Sequence, residues 1–364
     1  MEVVTILHSA PPAALCLTSH MPKLRRVTER GDCMGRAPES DSKRDTDPSR
    51  IHLCSRVVID FDPAAPFPEL RQLVAAVRRS DWPAVAAFFA GVTDPDDHEY
   101  AVRLVADVPG SDAFLQAAAQ REPGTLAQVL HAARLISVGW DIRSGARANR
   151  VSAEQFAGFH DHLRRAERIL IDVTALEPGN SSAWVQRLKI NRGLQLGQAE
   201  VRRRYDRLSR HVPHLYIGQA QVVQQFCQKW GGTDEKLHAF ALECLRGAPG
   251  GSLAPISLLE AHLEIGMDWQ NEANTVAYLR RPEVRTEIDE ARARSVGHPD
   301  FRASGYRAIT AHNNFALLYA KMGDLAAARP HFEFIGNHGG GFFWGYFGDE
   351  KIVFSALRSR ALKA

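Results

Sequence analysis

From about residue 66 onward, apolar positions recur with the spacing of helices. In FPELRQLVAAVRRSDWPAVAAFFAG, Leu70, Leu73, Val74 and Val77 stand at i, i+3, i+4 and i+7 and share one face. Asp81 predicts the cap of a second helix, with Pro83 in a first turn where its missing N–H costs nothing. Val85, Phe88 and Phe89 give that helix its apolar side. Further helices are expected over 96–107, 111–120 and 123–139. Ser152 and Gln155 then form a capping box, each side chain satisfying the other residue's free backbone N–H. The long helix after it should bury Phe156, Phe159, Leu163, Ala166, Leu170 and Val173. RVVIDF at 56–61 is the best strand candidate, and it stands alone, although a strand needs a partner. The pattern therefore predicts an all-α fold.

A longer period overlies the helical one. Prolines at 178, 213, 249 and 282 alternate with glycines at 197, 231/232 and 266, so each unit reads helix, Gly turn, helix, Pro exit. A period near 34 is that of two-helix units, each leaving one face to be buried by its neighbour. AITAHNNFALLYAKMGDLAAARPHFEFIG (308–336) carries Ala316 and Tyr319, then Gly323, then Ala328 and Phe332. ALEPGNSSAWVQRLK (175–189) reads as a repeat junction, with Trp184 in the bulky slot. These residues resemble the tetratricopeptide-repeat family. The likeness spans about 160–336, with 283–305 as an insertion. It departs from the family at Ile335, where a small residue is usual, and no Pro closes the last unit. The resemblance implies an α–α superhelix, a right-handed solenoid of antiparallel helix pairs. The KWGG-containing stretch is also similar to an uncharacterised group of bacterial helical-repeat proteins, which implies no activity.

Composition narrows the setting. The 364 residues are 45% apolar, enough for a sizeable core, and the net charge of +3 is too small to imply a polyanionic partner. No run approaches eighteen apolar residues, so no membrane partner is expected. The five cysteines form no C-x-x-C pair and are odd in number, which fits a reducing cytoplasm. Residues 1–55 are charged and aperiodic and read as a disordered leader. Met21 and Met34 leave open whether residues 1–33 belong to the natural product. A helical region over 56–150 and a repeat region over 151–364 follow.

Several strings invite a chemical reading. QFCQKWGGTDEKLHAF (225–240) joins Cys227, Lys229 and Trp230 to a glycine pair. Its spacing predicts a helix carrying Val222, Val223, Phe226 and Trp230, a stop at Gly231-Gly232, and a new helix capped by Thr233. Cys227 is then a small core or boundary residue. His338-Gly339-Gly340-Gly341 copies an oxyanion-hole string but lacks the G-x-S-x-G elbow, so a loop is expected, with the following aromatics packing on the last helix. His160 and His162 point to different helix faces, while His211 and His214 lack a third ligand, and no metal or cofactor is expected. DPDDHE (94–99) lacks calcium-loop spacing and reads as a loop followed by an acidic helix start.

The expected function is non-catalytic protein interaction, through a concave groove that takes a protein or peptide partner. Gln186, Lys189, Asn313 and Asn314 are its candidate lining residues, Asn314 through its resemblance to a family peptide-binding position. One alternative is RNA or anion binding. Over 140–210, fourteen Lys and Arg face eight Asp and Glu, and Arg143, Arg147 and Arg150 share a Gly-containing loop. A cryptic hydrolase around His338 is the second.

Overall fold

The structure, a computed structural model, describes residues 58–146, 148–340 and 342–364, with Phe342 as backbone only. The 1–55 leader, Arg147 and the first residues of RVVIDF lie outside the described residues. Among the described residues the chain is all-α. Sixteen α-helices are joined by three short 3-10 turns, and the sole β feature is an isolated bridge between Asp60 and His338. No described helix is long and apolar enough to cross a membrane.

The first helices form where capping and periodicity place them. Helix α1 (Pro68–Arg78) buries Leu70, Leu73 and Val77. Helix α2 (Trp82–Gly91) starts at Asp81, whose carboxylate accepts from Ala84 N at 3.1 Å. Such a cap is worth about 1 kcal/mol. Helix α3 (Pro95–Ala106) is capped by Asp94, and α4 (Asp112–Arg121) and α5 (Leu126–Arg143) follow. Helix α6 (Ala153–Leu176) opens with the Ser152–Gln155 capping box. It buries Phe159, Leu163, Ala166, Leu170 and Val173, while Phe156 is half-buried.

Next come α7 (Ser181–Gly193), α8 (Gln198–His211), α9 (Tyr216–Phe226) and α10 (Asp234–Gly247). They are followed by α11 (Ile256–Gly266), α12 (Glu272–Leu279) and α13 (Pro282–Arg294). The last are α14 (Ala308–Met322), α15 (Leu325–Ile335) and α16 (Glu350–Ala361). Glycines 197, 231/232 and 323 mark the turns of α7–α8, α9–α10 and α14–α15, and Pro178, Pro213 and Pro249 follow α6, α8 and α10. Pro282 instead sits in the first turn of α13, immediately before the expected insertion of 283–305.

Packing is in two layers. α5, α7, α9, α11 and α14 each touch the next in that series, while α6, α8, α10 and α15 pack beside them. This arrangement is compatible with an α–α superhelix. Trp184 locks one junction, its indole N–H donating to Pro178 O at 2.8 Å.

The glycine pair ends its helix earlier than the sequence predicts. Helix α9 stops at Phe226 because Cys227 is extended, and Gln228–Trp230 winds as a 3-10 turn with Gly231 left-handed at φ 82°. Trp230 therefore leaves the α9 face. Cys227 is buried, and its thiol donates to Val223 O at 3.3 Å. Thr233 caps α10 as expected.

Candidate functional site

The inner face of the α7–α9 layer is filled by the chain itself. Helix α3 lies against α5, α7 and α9. Its acidic first turn meets the 302–307 segment: Arg302 pairs with Asp94 at 3.0 Å and Asp97 at 2.8 Å, and Tyr306 N donates to Asp97 Oδ1 at 2.8 Å. Arg307 is buried against the rings of Tyr100 and Tyr216, with Asp96 4.0 Å away. DPDDHE is thus an inward-facing anchor, with burial first raising Asp96 to about 7 against the pull of Arg307.

This filling buries two of the four groove candidates, and other packing buries the remaining two. Gln186 and Lys189 meet Glu99 of α3, the amide at 3.2 Å from both carboxylate oxygens and the ammonium at 3.9 Å. Burial raises Glu99 and lowers Lys189, each toward its neutral form. Asn313 accepts from the Trp344 indole N–H at 2.9 Å. Asn314 is 4% exposed, and its amide nitrogen has no partner among the described residues. All four are interior, so they present no open groove surface. Nothing local to Gln186 and Lys189 announced that α3 would cover them.

The polar seam continues along α7, α9 and α11. Arg192, 1% exposed, lies between the Trp140 and Trp230 rings and donates to Gln221 at 3.3 Å. Tyr216 donates to Glu260, a carboxyl that burial pushes up to about 7. Glu264 gathers Gln224, Lys229 and Tyr346 at 2.6–2.9 Å. Lys229 of the 225–240 string is therefore a counter-ion to the buried Glu264. Burial also raises the Cys227 thiol well above its ordinary range, away from the reactive thiolate.

The arginine loop and the glycine loop are both tied into local structure. Arg143 donates to the carbonyls of Ser144 and Ala146 at 2.9 and 2.6 Å, bracing its own loop. Arg150 is exposed on a 3-10 turn. On α8 the basic run is paired: Arg202 with Asp206 and Glu243, Arg203 with Glu200, and Arg204 with Glu200 and Glu167. In the glycine loop, Asp60 N donates to Asn337 O at 2.8 Å, and a Cβ at Gly339 would strike the Phe61 ring. Gly339 thus makes room for Ile59 and Phe61. Trp344 packs on Phe354 and Phe332, holding α16.

Two recesses lie elsewhere. One, of about 320 Å³, is lined by Phe89, His98, Thr125, Val129 and Ser182, with the serine hydroxyl 2.9 Å from His98 Nδ1. The other, of about 460 Å³, lies between α8 and α10, lined by Ala199, Phe226, Ala239 and Phe240 and edged by Arg202, Lys236 and Glu243.

A separate cluster joins α10, α11 and α13. Nε2 of His238 and Nε2 of His262 each lie 2.8 Å from the same Glu287 oxygen, Oε2. Nδ1 of His262 is 3.0 Å from the Tyr278 hydroxyl. One donor atom from each of the three residues falls within 4.8 Å of the others. Sequence gave no sign of this cluster, because Glu287 is 25 and 49 residues from its partners. Compared with protein-family models, curated proteins and solved structures, the chain matches none.

Proposed function

We propose that the protein is a non-catalytic helical-repeat scaffold that engages a protein or peptide partner through its outer helix layer. The observation that carries this reading is the contrast between the two layers. The inner face is occupied by α3 and residues 302–307. The outer layer keeps an apolar recess between α8 and α10, with Ala199 and Ala239 exposed at its mouth. Its edge carries both charge signs, from Arg202, Lys236 and Glu243. A partner presenting an apolar side chain flanked by charges fits this chemistry, as an amphipathic helix or peptide does. The pairing of Arg202, Arg203 and Arg204 on α8 favours this over polyanion binding.

A photo-crosslinking residue at Ala239, with a second at the exposed Arg360 as control, tests the reading in cells. One dominant adduct is expected from Ala239, absent from Arg360, and suppressed by Ala199→Arg. Identical adducts from both positions, or an Ala239 adduct unaffected by Ala199→Arg, would refute it.

A further inference from the structure

We propose that His238, His262 and Glu287 form a binding site for a divalent first-row transition metal, zinc being the reference ion, with a fourth coordination position open to solvent. The site stands apart from the partner-binding reading and rests on different residues.

The donor geometry carries the proposal. Two imidazole Nε2 atoms from different helices converge on one carboxylate oxygen at 2.8 Å each. Without a metal, both rings must offer an N–H to that single oxygen. With a metal, the same three atoms turn lone pairs toward a common centre. Tetrahedral ligands at about 2.0–2.2 Å from an ion stand about 3.4 Å apart. The two nitrogen–oxygen distances must therefore open by about half an ångström, a small rotation for side chains that already lie together.

The hydrogen bond behind His262 suits this change of state. A ligating histidine ordinarily fixes its second ring nitrogen on a neighbouring polar group, which sets the tautomer. Tyr278 stands 3.0 Å from Nδ1. Its hydroxyl donates to Nδ1 while Nε2 carries the proton, and accepts from Nδ1–H once Nε2 holds the ion. Each neutral imidazole changes tautomer with no net loss of a proton. The rest of the molecule need not rearrange.

The donor set selects the class of ion. Two imidazoles and one carboxylate suit zinc and its transition-metal neighbours, whereas magnesium and calcium take oxygen ligands. Accessibility is graded, with the His262 side chain 2% exposed, Glu287 24% and His238 34%. His262 thus anchors the site from within while the other two face the route from solvent. Three protein ligands leave one tetrahedral position for water or a small anion, as the charge of one carboxylate against a dication invites. The bound ion would tie α10 and α11 to α13.

The full chain, stripped by a chelator, is titrated with zinc chloride by calorimetry and with cobalt(II) by visible absorption. One equivalent is expected to bind, and cobalt should develop the d–d bands of a tetrahedral nitrogen–oxygen site. His238→Ala and Glu287→Gln should each weaken zinc binding at least 100-fold, about the upper end for supporting residues, and Tyr278→Phe about 10-fold. His160→Ala, on α6, should leave it unchanged. Zinc that fails to bind the wild-type chain, or binds both ligand variants as tightly, would overturn the site. If a ligand variant melts early, wild-type cobalt spectra decide. A tetrahedral band at one equivalent supports the site, and solely octahedral absorption overturns it.

Discussion

Replacing Gly232 by Ala tests the turn between α9 and α10 more sharply than any core truncation. A Cβ at this position would lie 1.8 Å from Phe226 O and 2.3 Å from Phe226 C, where ordinary contact begins near 3.4 Å. The obstacle is backbone, so no side chain can step aside, and the chain must move by well over an ångström. That movement breaks the Gly232 N to Cys227 O hydrogen bond of 3.1 Å, worth about 1 kcal/mol. Overpacking strain adds roughly 1–3 kcal/mol, for a total near 3 kcal/mol. Gly231→Ala meets no atom within 4 Å and costs only the left-handed conformation at φ +82°, about 1–2 kcal/mol. Gly197→Ala, at φ +88° in open space, is the matched control. Guanidinium denaturation followed by far-ultraviolet circular dichroism ranks the three. The expected order places Gly232→Ala lowest, with Gly231→Ala and Gly197→Ala close together. If Gly232→Ala is as stable as Gly231→Ala, the close approach of chain to chain at Phe226 is wrong.

Two further outcomes follow from the interior. Asp96 and Glu260 rise from ordinary values of 3.8 and 4.5 to about 7, through burial first. The folded chain therefore holds protons between pH 4 and 7 that the unfolded chain has released, so their contribution falls as pH climbs to 7. Asp96→Asn and Glu260→Gln should each flatten the loss of denaturation midpoint between pH 5 and 7; variants with the wild-type slope would contradict this. Phe332, 0% exposed, lies edge-to-face 5.6 Å from Phe354 and, tilted, 6.0 Å from Trp344. Phe332→Ala should cost about 3–5 kcal/mol and shift Trp344 fluorescence, and a loss below 1 kcal/mol would contradict the packing.

Much of the helical architecture was legible because it rests on local rules. The Ser152–Gln155 box, the Asp81 and Thr233 caps, and the α6 stripe each depend on residues a few positions apart. The end of α9 was misplaced because the extended Cys227 is set by the long turn around Gly232 rather than by any helix-breaking residue. Gln186 and Lys189 were expected to line a groove, and their burial depends on α3, more than eighty positions away. The same distance problem hid His238, His262 and Glu287. Each looks ordinary on its own helix, and only the stacking of α10, α11 and α13 makes them neighbours.

The bond from Tyr306 N to Asp97, across 209 residues, changes how these packed helices can come apart. An open stack of repeats peels from whichever end is weakest, since each unit leans only on the next. Here a late segment is buckled to an early helix, with Arg302 gripping Asp94 and Asp97 as the second fastening. Peeling from the front strips α3 away from Gln186 and Lys189. Loss of the 302–307 segment leaves the acidic turn of α3 without its counter-charges. The middle pairs therefore share the fate of both, and excising either part should cost the whole stack its order rather than shorten it.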